Sequence, residues 1–421
     1  MKSNELEFVD SFISEIGIYP ADSLEALYPR CEAVGGASNY LQVKKIIEAR
    51  HENAEGLDKT LYNKKNANYD FAVTFTGGYD YNYLSRLFQW IQNNEQYFGD
   101  TILEVGCDIG LVSCFLGRLF PDKQITSVDK YDKSIKVAQT MADKMGIRNV
   151  SFRRADVLKL TGRYDTVFSS RTMHENVKNG SLDMSYSLIE LSRGHKQLIK
   201  PYSDVLAKLV SDDGYLISAE RCNIDPMFYG WLLALQENGY NLIEETYSQF
   251  KVKELNKDAI FQAGVFCKSS ESPMVDDIST FFTRLSCDEA GIDDLMGNWG
   301  RAPGWTSLVA LDVCVDQFVE GYMTLRGYSG NPVCRYAVYT NKYDKDSSLV
   351  YQYVGPTGLR LTSNTFAAYK DANISSIRQS ANKDMKNGFT VYRIVSENGV
   401  EKRGDQIKKP ILDNPLLRRD C

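Results

Sequence analysis

Three stretches of this 421-residue sequence gather residue types that can do chemistry. The first, ILEVGCDIG (102–110), is a short apolar run that ends in a glycine turn carrying Glu104, Gly106, Asp108 and Gly110. Asp129 and Asp156 each close a later apolar run. The third stretch, Ser169 to Asn176, holds Arg171, His174 and Glu175. A glycine turn between a strand and its helix is where open α/β sheets bind nucleotides. A dinucleotide site needs a glycine two residues after the first, so that backbone can approach the pyrophosphate. Here Asp108 stands in that place, and its carboxylate would face phosphate, so NAD and FAD fit poorly. A cationic nucleoside without phosphate reverses the sign. Asp108 is then tolerated and Glu104 becomes an asset. Asp129, 19 residues past Gly110, suits paired hydrogen bonds to two ribose hydroxyls, and Asp156 suits an adenine amino group.

In the third stretch His174 is the candidate general base, since its unperturbed pKa lies near neutrality. Ordering of its own loop explains it equally well. Glu175 is placed to orient it, with Arg171 beside them. Glu220 and Arg221 either line the same crevice or form a structural salt bridge. Tyr79 and Tyr83 either close over the bound nucleoside or pack inside.

The surrounding periodicities supply the elements that must position these groups. Strands are expected at 101–106, 124–129, 149–156, 164–170 and 214–221, with helices between them. A closing antiparallel pair follows over 241–268. Strands alternating with helices imply a parallel sheet covered on both faces. Before it, residues 1–75 read as helical pieces broken by Pro20, Pro29 and Gly35-Gly36, with Leu41, Val43, Ile46 and Ile47 on one amphipathic helix. A helix with Asp80 as its cap begins after Gly77-Gly78. Residues 196–210 are helical around Pro201. SSESP (269–273) reads as a linker, and 304–327 as a long helix with a stripe of Leu308, Leu311, Val315, Phe318, Val319 and Tyr322.

The glycine turn with Asp129 and Asp156 in order on successive strands resembles the class I S-adenosylmethionine-dependent methyltransferase family, over about residues 76–268. Glu104, Gly106 and Gly110 match its first motif, whose middle glycine is replaced by Asp108. Asp129 matches the ribose-binding acid and Asp156 the acid of the second motif. The resemblance implies a Rossmann-like, doubly wound, seven-stranded α/β sheet with a reversed late strand, and S-adenosyl-L-methionine as cofactor. It adds Cys107, Lys130, Val157 and Ser169 to the cofactor-binding set, and it places the acceptor at the loop of Arg171, His174 and Glu175. The N-terminal helices (1–75) are then a lid, residues 274–330 a helical connector, and 331–421 a small basic α+β domain. The Asn/Asp/Ser-Pro-Pro-aromatic tetrapeptide of DNA amino-methyltransferases and a Pro-Cys nucleophile are both absent. What remains is O- or N-methylation of a small molecule or nucleotide.

Apolar residues at 43% and charged residues at 25% exclude disorder, collagen and coiled coil as descriptions of the whole. No apolar window is long enough to span a membrane, and the acidic start lacks a signal core, so a cytoplasmic protein is expected. Nine dispersed cysteines and three histidines (His51, His174, His195) argue against a disulfide framework or a metal centre. The net charge of −6 is uneven. From Val333 onward 15 Lys+Arg face 9 Asp+Glu, whereas 274–332 is acidic. Residues 349–394 loosely resemble a nuclease-associated modular DNA-binding domain. A helix–turn–helix is expected around Ala367-Ala368 and Ile374 to Ile377. Ser375, Ser376, Arg378, Gln379 and Lys383 would be its groove or phosphate contacts. A nucleic-acid-binding protein that acts on a base, or only senses the cofactor, is therefore the competing reading. The 304–327 stripe also suits the seam of a homodimer.

Overall fold

The computed structural model describes residues 2–51, 58–176, 188–222, 225–254, 257–268, 315–325, 332–341, 348–354, 370–397 and 400–412. They divide into two compact units. One takes Met1–Lys178, Leu198–Cys222 and Ala234–Ser272; the other takes Asn179–Gln197, Asn223–Leu233 and Pro273–Cys421.

The first unit is built on a sheet of β1 (Thr101–Val105), β2 (Gln124–Asp129), β3 (Val150–Arg154), β4 (Tyr164–Ser170), β5 (Val210–Arg221), β6 (Tyr240–Leu242), β7 (Ser248–Glu254) and β8 (Lys257–Lys268). Its order is β3-β2-β1-β4-β5-β8-β6, with β7 also paired to β8. The first five strands run parallel, and β8 is antiparallel to β5, β6 and β7. The parallel run is what the alternating pattern predicts, and the Rossmann-like order with a reversed late strand is what the resemblance implies. Two details differ from expectation. Residues 241–254 do not form one strand, because a 3-10 turn at Glu244–Thr246 divides them into β6 and β7. In addition, β8 lies inside the sheet and is buried on both faces, with Phe261, Ala263 and Val265 on one and Gln262 and Phe266 on the other.

Helices α1 (Lys2–Ile16), α2 (Leu24–Gly35), α3 (Ala37–His51), α4 (Asp58–Lys65) and α5 (Tyr69–Asn93) precede β1. Then α6 (Leu111–Leu119) follows β1 and α7 (Asp132–Lys144) follows β2. Phe12 of α1 meets Phe88 of α5 and Phe115 of α6 edge-on, while Phe88 and Phe115 stack at 4.0 Å. Aromatic contacts of this kind fix α1 and α5 on the sheet layer. The helix expected after Gly77-Gly78 instead starts at Tyr69, capped by the Asn68 side chain, and Asp80 lies within it. Both glycines lie within the helix, where the segment after α1 and helix α2 pass close by. A Cβ at Gly77 would run into Ile18, and one at Gly78 would lie 2.5 Å from Leu27 Cδ1. Pro29 likewise sits inside α2 and does not break it.

Between β4 and β5 come the short α8 (Met173–Asn176) and α9 (Leu188–Leu209), which contains Pro201; α10 (Asp225–Gln236) follows β5.

In the second unit, β9 (Val315–Leu325), β10 (Pro332–Asn341), β11 (Ser348–Val354), β12 (Thr390–Glu397) and β13 (Val400–Gln406) form an antiparallel sheet. Its order is β11-β10-β9-β12-β13, and α11 (Lys370–Lys386) packs on it. The long helix read over 304–327 is corrected here: residues 315–325 are a strand, and 304–314 lie outside the described residues. Residues 321–325 are all buried. A strand covered on both faces gives a continuous apolar run, which imitates a helical stripe in sequence. The helix–turn–helix is also corrected. Ile374 to Ile377 lie in the single helix α11, whose Ile377 and Ala381 pack on Tyr322, Tyr336 and Val338, and Ala367-Ala368 lie outside the described residues. An antiparallel sheet with, among the described residues, one helix on it gives the nuclease-associated resemblance no support. Among the described residues, no helix is long and apolar enough to cross a membrane.

Candidate functional site

The glycine turn between β1 and α6 is built from three residues at positive φ: Gly106 (75°), Asp108 (43°) and Gly110 (83°). Gly106 has a second constraint, since a Cβ there would run into Thr172 of the loop after β4. Asp108 takes a left-handed conformation that Asp tolerates better than most residues. Its backbone N–H donates to Asp129 Oδ2 at 3.0 Å, and the N–H of Tyr131 donates to Asp129 Oδ1 at 2.8 Å. Asp129 is therefore fixed at the end of β2 by backbone. Burial, then the nearby Asp108 charge, push its carboxyl up to about 7 against those two hydrogen bonds. Glu104 is buried under the turn, where it accepts from Ser113 Oγ and from Ser127 Oγ at 2.8 Å. Burial raises it too, to about 7.

These groups border a cavity of about 410 Å³ lined by Glu104, Gly106, Cys107, Asp108 and Asp129, by Ser170, Arg171, Thr172 and Glu175 after β4, and by α4 and α5. The volume is in the ordinary range for a small-molecule site. Gly110, Lys130, Asp156, Val157 and Ser169 do not line it. Gly110 caps α6 instead. Asp156 is exposed, and its Oδ1 accepts from the Leu158 N–H at 3.1 Å. Ser169 hydrogen-bonds to Glu220 and to the Tyr202 hydroxyl at 2.9 Å, away from the cavity.

The loop after β4 is held from beneath. Glu220, fully buried, accepts from Ser169 Oγ and, at 3.0 Å, from the Met173 N–H, so it serves as an internal anchor and not as a salt-bridge partner. Arg171 has φ 58° and pairs with Asp80 Oδ1 at 2.5 Å and Glu254 Oε1 at 3.0 Å. Its guanidinium lies over the rings of Tyr83 and Phe261. Burial opposes its charge, but the two carboxylates more than offset that and raise its pKa. Glu175 accepts from the Tyr62 hydroxyl at 2.5 Å and meets Lys130 Nζ at 3.3 Å. His174 belongs to the helical turn 173–176, and its side chain lies outside the described residues. Tyr83 is buried, donating to Ala219 O at 3.0 Å, and both it and Tyr79 line the cavity.

Sequence reading missed the α4 contribution. Lys65 Nζ meets Asp108 Oδ2 at 2.5 Å, and Asn66 Nδ2 donates to Asp108 Oδ1 at 2.8 Å. The Tyr62 ring stacks on Tyr131 at 4.7 Å. The Asp108 that departs from the glycine pattern is thus the attachment point of α4. The one signal for this was the unexplained carboxylate itself, which needed a cation from elsewhere in the chain.

Residues 98–260 match a protein family described as a methyltransferase domain. A malonyl-[acyl-carrier protein] O-methyltransferase from Bacillus cereus is 40% identical over 73 residues, 17% of this chain and 26% of that protein. A ribosomal RNA small subunit methyltransferase G from Bacteroides fragilis is 32% identical over 75 residues, 18% of this chain and 36% of that protein. The chain thus covers about a quarter to a third of the length of these relatives. Among solved structures, the magnesium protoporphyrin IX methyltransferase of Synechocystis PCC 6803 is similar at 16% identity and a TM-score of 0.35. That match covers 52% of this chain and 96% of the other. Strand order, glycine turn and family match together define a class. Residues 98–260 match a methyltransferase-domain family, and the strands within them have the Rossmann-like order.

Proposed function

We propose that the chain transfers a methyl group from S-adenosyl-L-methionine to an oxygen or nitrogen of a small acceptor held in the 410 Å³ cavity. One observation carries this reading: Asp129, held by two backbone N–H groups beside the glycine turn, at the wall of that cavity. Its remaining lone pairs fit the ribose hydroxyls, while Glu104 and Asp108 give the adjoining wall the sign that a cationic donor needs. The cofactor, when bound, supplies an electrophilic methyl carbon. The chain's own residues align the acceptor with it and exclude water. Ser170, Arg171 and Thr172 form the floor at the end of β4, and His174 is the base to which we assign the acceptor's proton. Within the N-terminal segment read as a lid, α3 and α4 are the helices that cover the cavity, through Ile47, Leu61, Tyr62 and Lys65, and Lys65 and Asn66 join them to the glycine turn.

The relatives' names place their own acceptors on an acyl-carrier protein and on ribosomal RNA, so a base or nucleotide acceptor is the second reading. Calorimetry with S-adenosylmethionine and S-adenosylhomocysteine tests the first. Asp129→Asn should weaken both by roughly ten- to a hundredfold, the worth of about 1.5–3 kcal/mol for hydrogen bonds to a charged group. Circular dichroism should be unchanged. Wild-type affinity in that variant would refute the assignment.

A further inference from the structure

One part of the cavity wall has donors that the protein leaves without acceptors. Thr76, Tyr79 and Asp80 of α5 and Arg171 and Arg221 at the strand ends all face this space. Arg171 is ion-paired with Asp80 and with one oxygen of Glu254. The other oxygen of Glu254 meets Arg221 Nη1 at 2.9 Å. Among the described residues Arg221 Nε is nevertheless buried with no hydrogen-bond partner, as is the hydroxyl of Thr76, a residue only 6% exposed. A buried unpaired donor costs about 1–3 kcal/mol, and a guanidinium nitrogen can only donate. The missing partner is therefore an acceptor, and the planar guanidinium fork matches a carboxylate. A phosphate dianion would bring twice the charge to a wall that already holds Asp80, Glu104 and Asp108.

We propose that Arg221, Thr76 and Tyr79 form a carboxylate-binding subsite within the cavity. This rests on the methyltransferase reading, which offers two sources of the group: the methionine end of the cofactor, or a carboxylate on the acceptor. S-adenosylhomocysteine, its decarboxylated analogue 5′-(3-aminopropylthio)-5′-deoxyadenosine, and glutarate added to the S-adenosylhomocysteine-loaded protein are the probes, read by calorimetry. They are compared in wild type, Arg221→Gln, Thr76→Val and Tyr79→Phe; the last two are near-isosteric and keep the test valid should Arg221→Gln fail to fold.

If the cofactor supplies the carboxylate, decarboxylation and each substitution weaken binding, by roughly ten- to a hundredfold for Arg221→Gln. The variant then no longer separates S-adenosylhomocysteine from its analogue. If the acceptor supplies it, S-adenosylhomocysteine binds all variants equally, and glutarate binds the loaded wild type but not Arg221→Gln. Unchanged S-adenosylhomocysteine affinity in every variant, with no glutarate binding to the wild type or equal binding to all, overturns the subsite. Failure of S-adenosylhomocysteine to bind the wild type overturns the functional reading instead.

Discussion

Asp129 and Glu104 are two buried acids on neighbouring strand ends, each pushed up to about 7 with burial as the leading cause. A sulfonium and an ammonium beside them would favour the ionised forms and lower both values. The sign of the pH effect follows. Affinity for S-adenosylmethionine is full above about pH 7, where the free carboxyls are already ionised, and weakens as pH falls through that value. Binding near pH 7 should release protons, so the observed heat should differ between two buffers of unlike ionisation enthalpy. S-adenosylhomocysteine, which lacks the sulfonium charge, should release fewer. Equal heats in both buffers would remove these carboxyls from the cofactor's surroundings. At this scale the sequence was informative wherever a residue acts through local backbone. Gly106, Asp108 and Asp129 sit on one turn and one strand end, and their spacing showed it. It was uninformative for Glu175, whose partners Tyr62 and Lys130 are set by tertiary contact.

Among the elements, α4 is the one whose role could not be read from its own residues. DKTLYNKK is a short polar segment with no apolar stripe, too short to be a stable helix alone. Its place depends on Lys65 and Asn66 reaching Asp108 and on Tyr62 lying on Tyr131. Lys65 is 8% exposed, so this ion pair is not a solvent-screened surface pair. Breaking one side of it leaves Asp108 poorly compensated. Lys65→Met, which keeps the aliphatic stem, should speed amide exchange across residues 58–66 by roughly tenfold or more, the equivalent of about 1.4 kcal/mol. Exchange in β1 and β2 should stay as in wild type. An unchanged rate over 58–66 would mean that the aromatic stack alone holds the helix. The long α5 teaches the converse lesson. Its Gly77-Gly78 pair read as a break because glycine usually punctuates helices, but here it makes room for Ile18 and Leu27.

For the molecule as a whole, the parallel-sheet unit was legible because strand and helix periods alternate over some 170 residues, a pattern that calls for a parallel sheet covered by helices. The C-terminal unit was not, for a reason of packing. Strand β9 is buried on both faces, and the single helix α11 covers a sheet whose strands are separated in sequence. The same packing reassigns a residue that the basic charge of this region had suggested for phosphate contact. Arg378 donates through Nε and Nη2 to Glu320 Oε1 and Oε2 at 2.6 and 2.7 Å, and this bidentate pair joins α11 to β9. The neighbouring Asp384 accepts from Thr324 Oγ1 at 2.6 Å, so two polar links fix the helix on the sheet. Burial raises Glu320, but Arg378 and the Tyr322 hydroxyl outweigh it and hold the carboxyl below its ordinary value. With both partners about one-fifth exposed, Arg378→Ala should cost about 1–3 kcal/mol of stability, the range for hydrogen bonds to charged groups after some screening by solvent. Chemical denaturation of the full chain reads that loss. Retention on heparin should be unchanged in the folded variant, because a guanidinium already engaged by a carboxylate fork contributes little to a phosphate surface. Weaker retention with unaltered stability would return Arg378 to the nucleic-acid reading and remove the Glu320 pair from the account of the sheet.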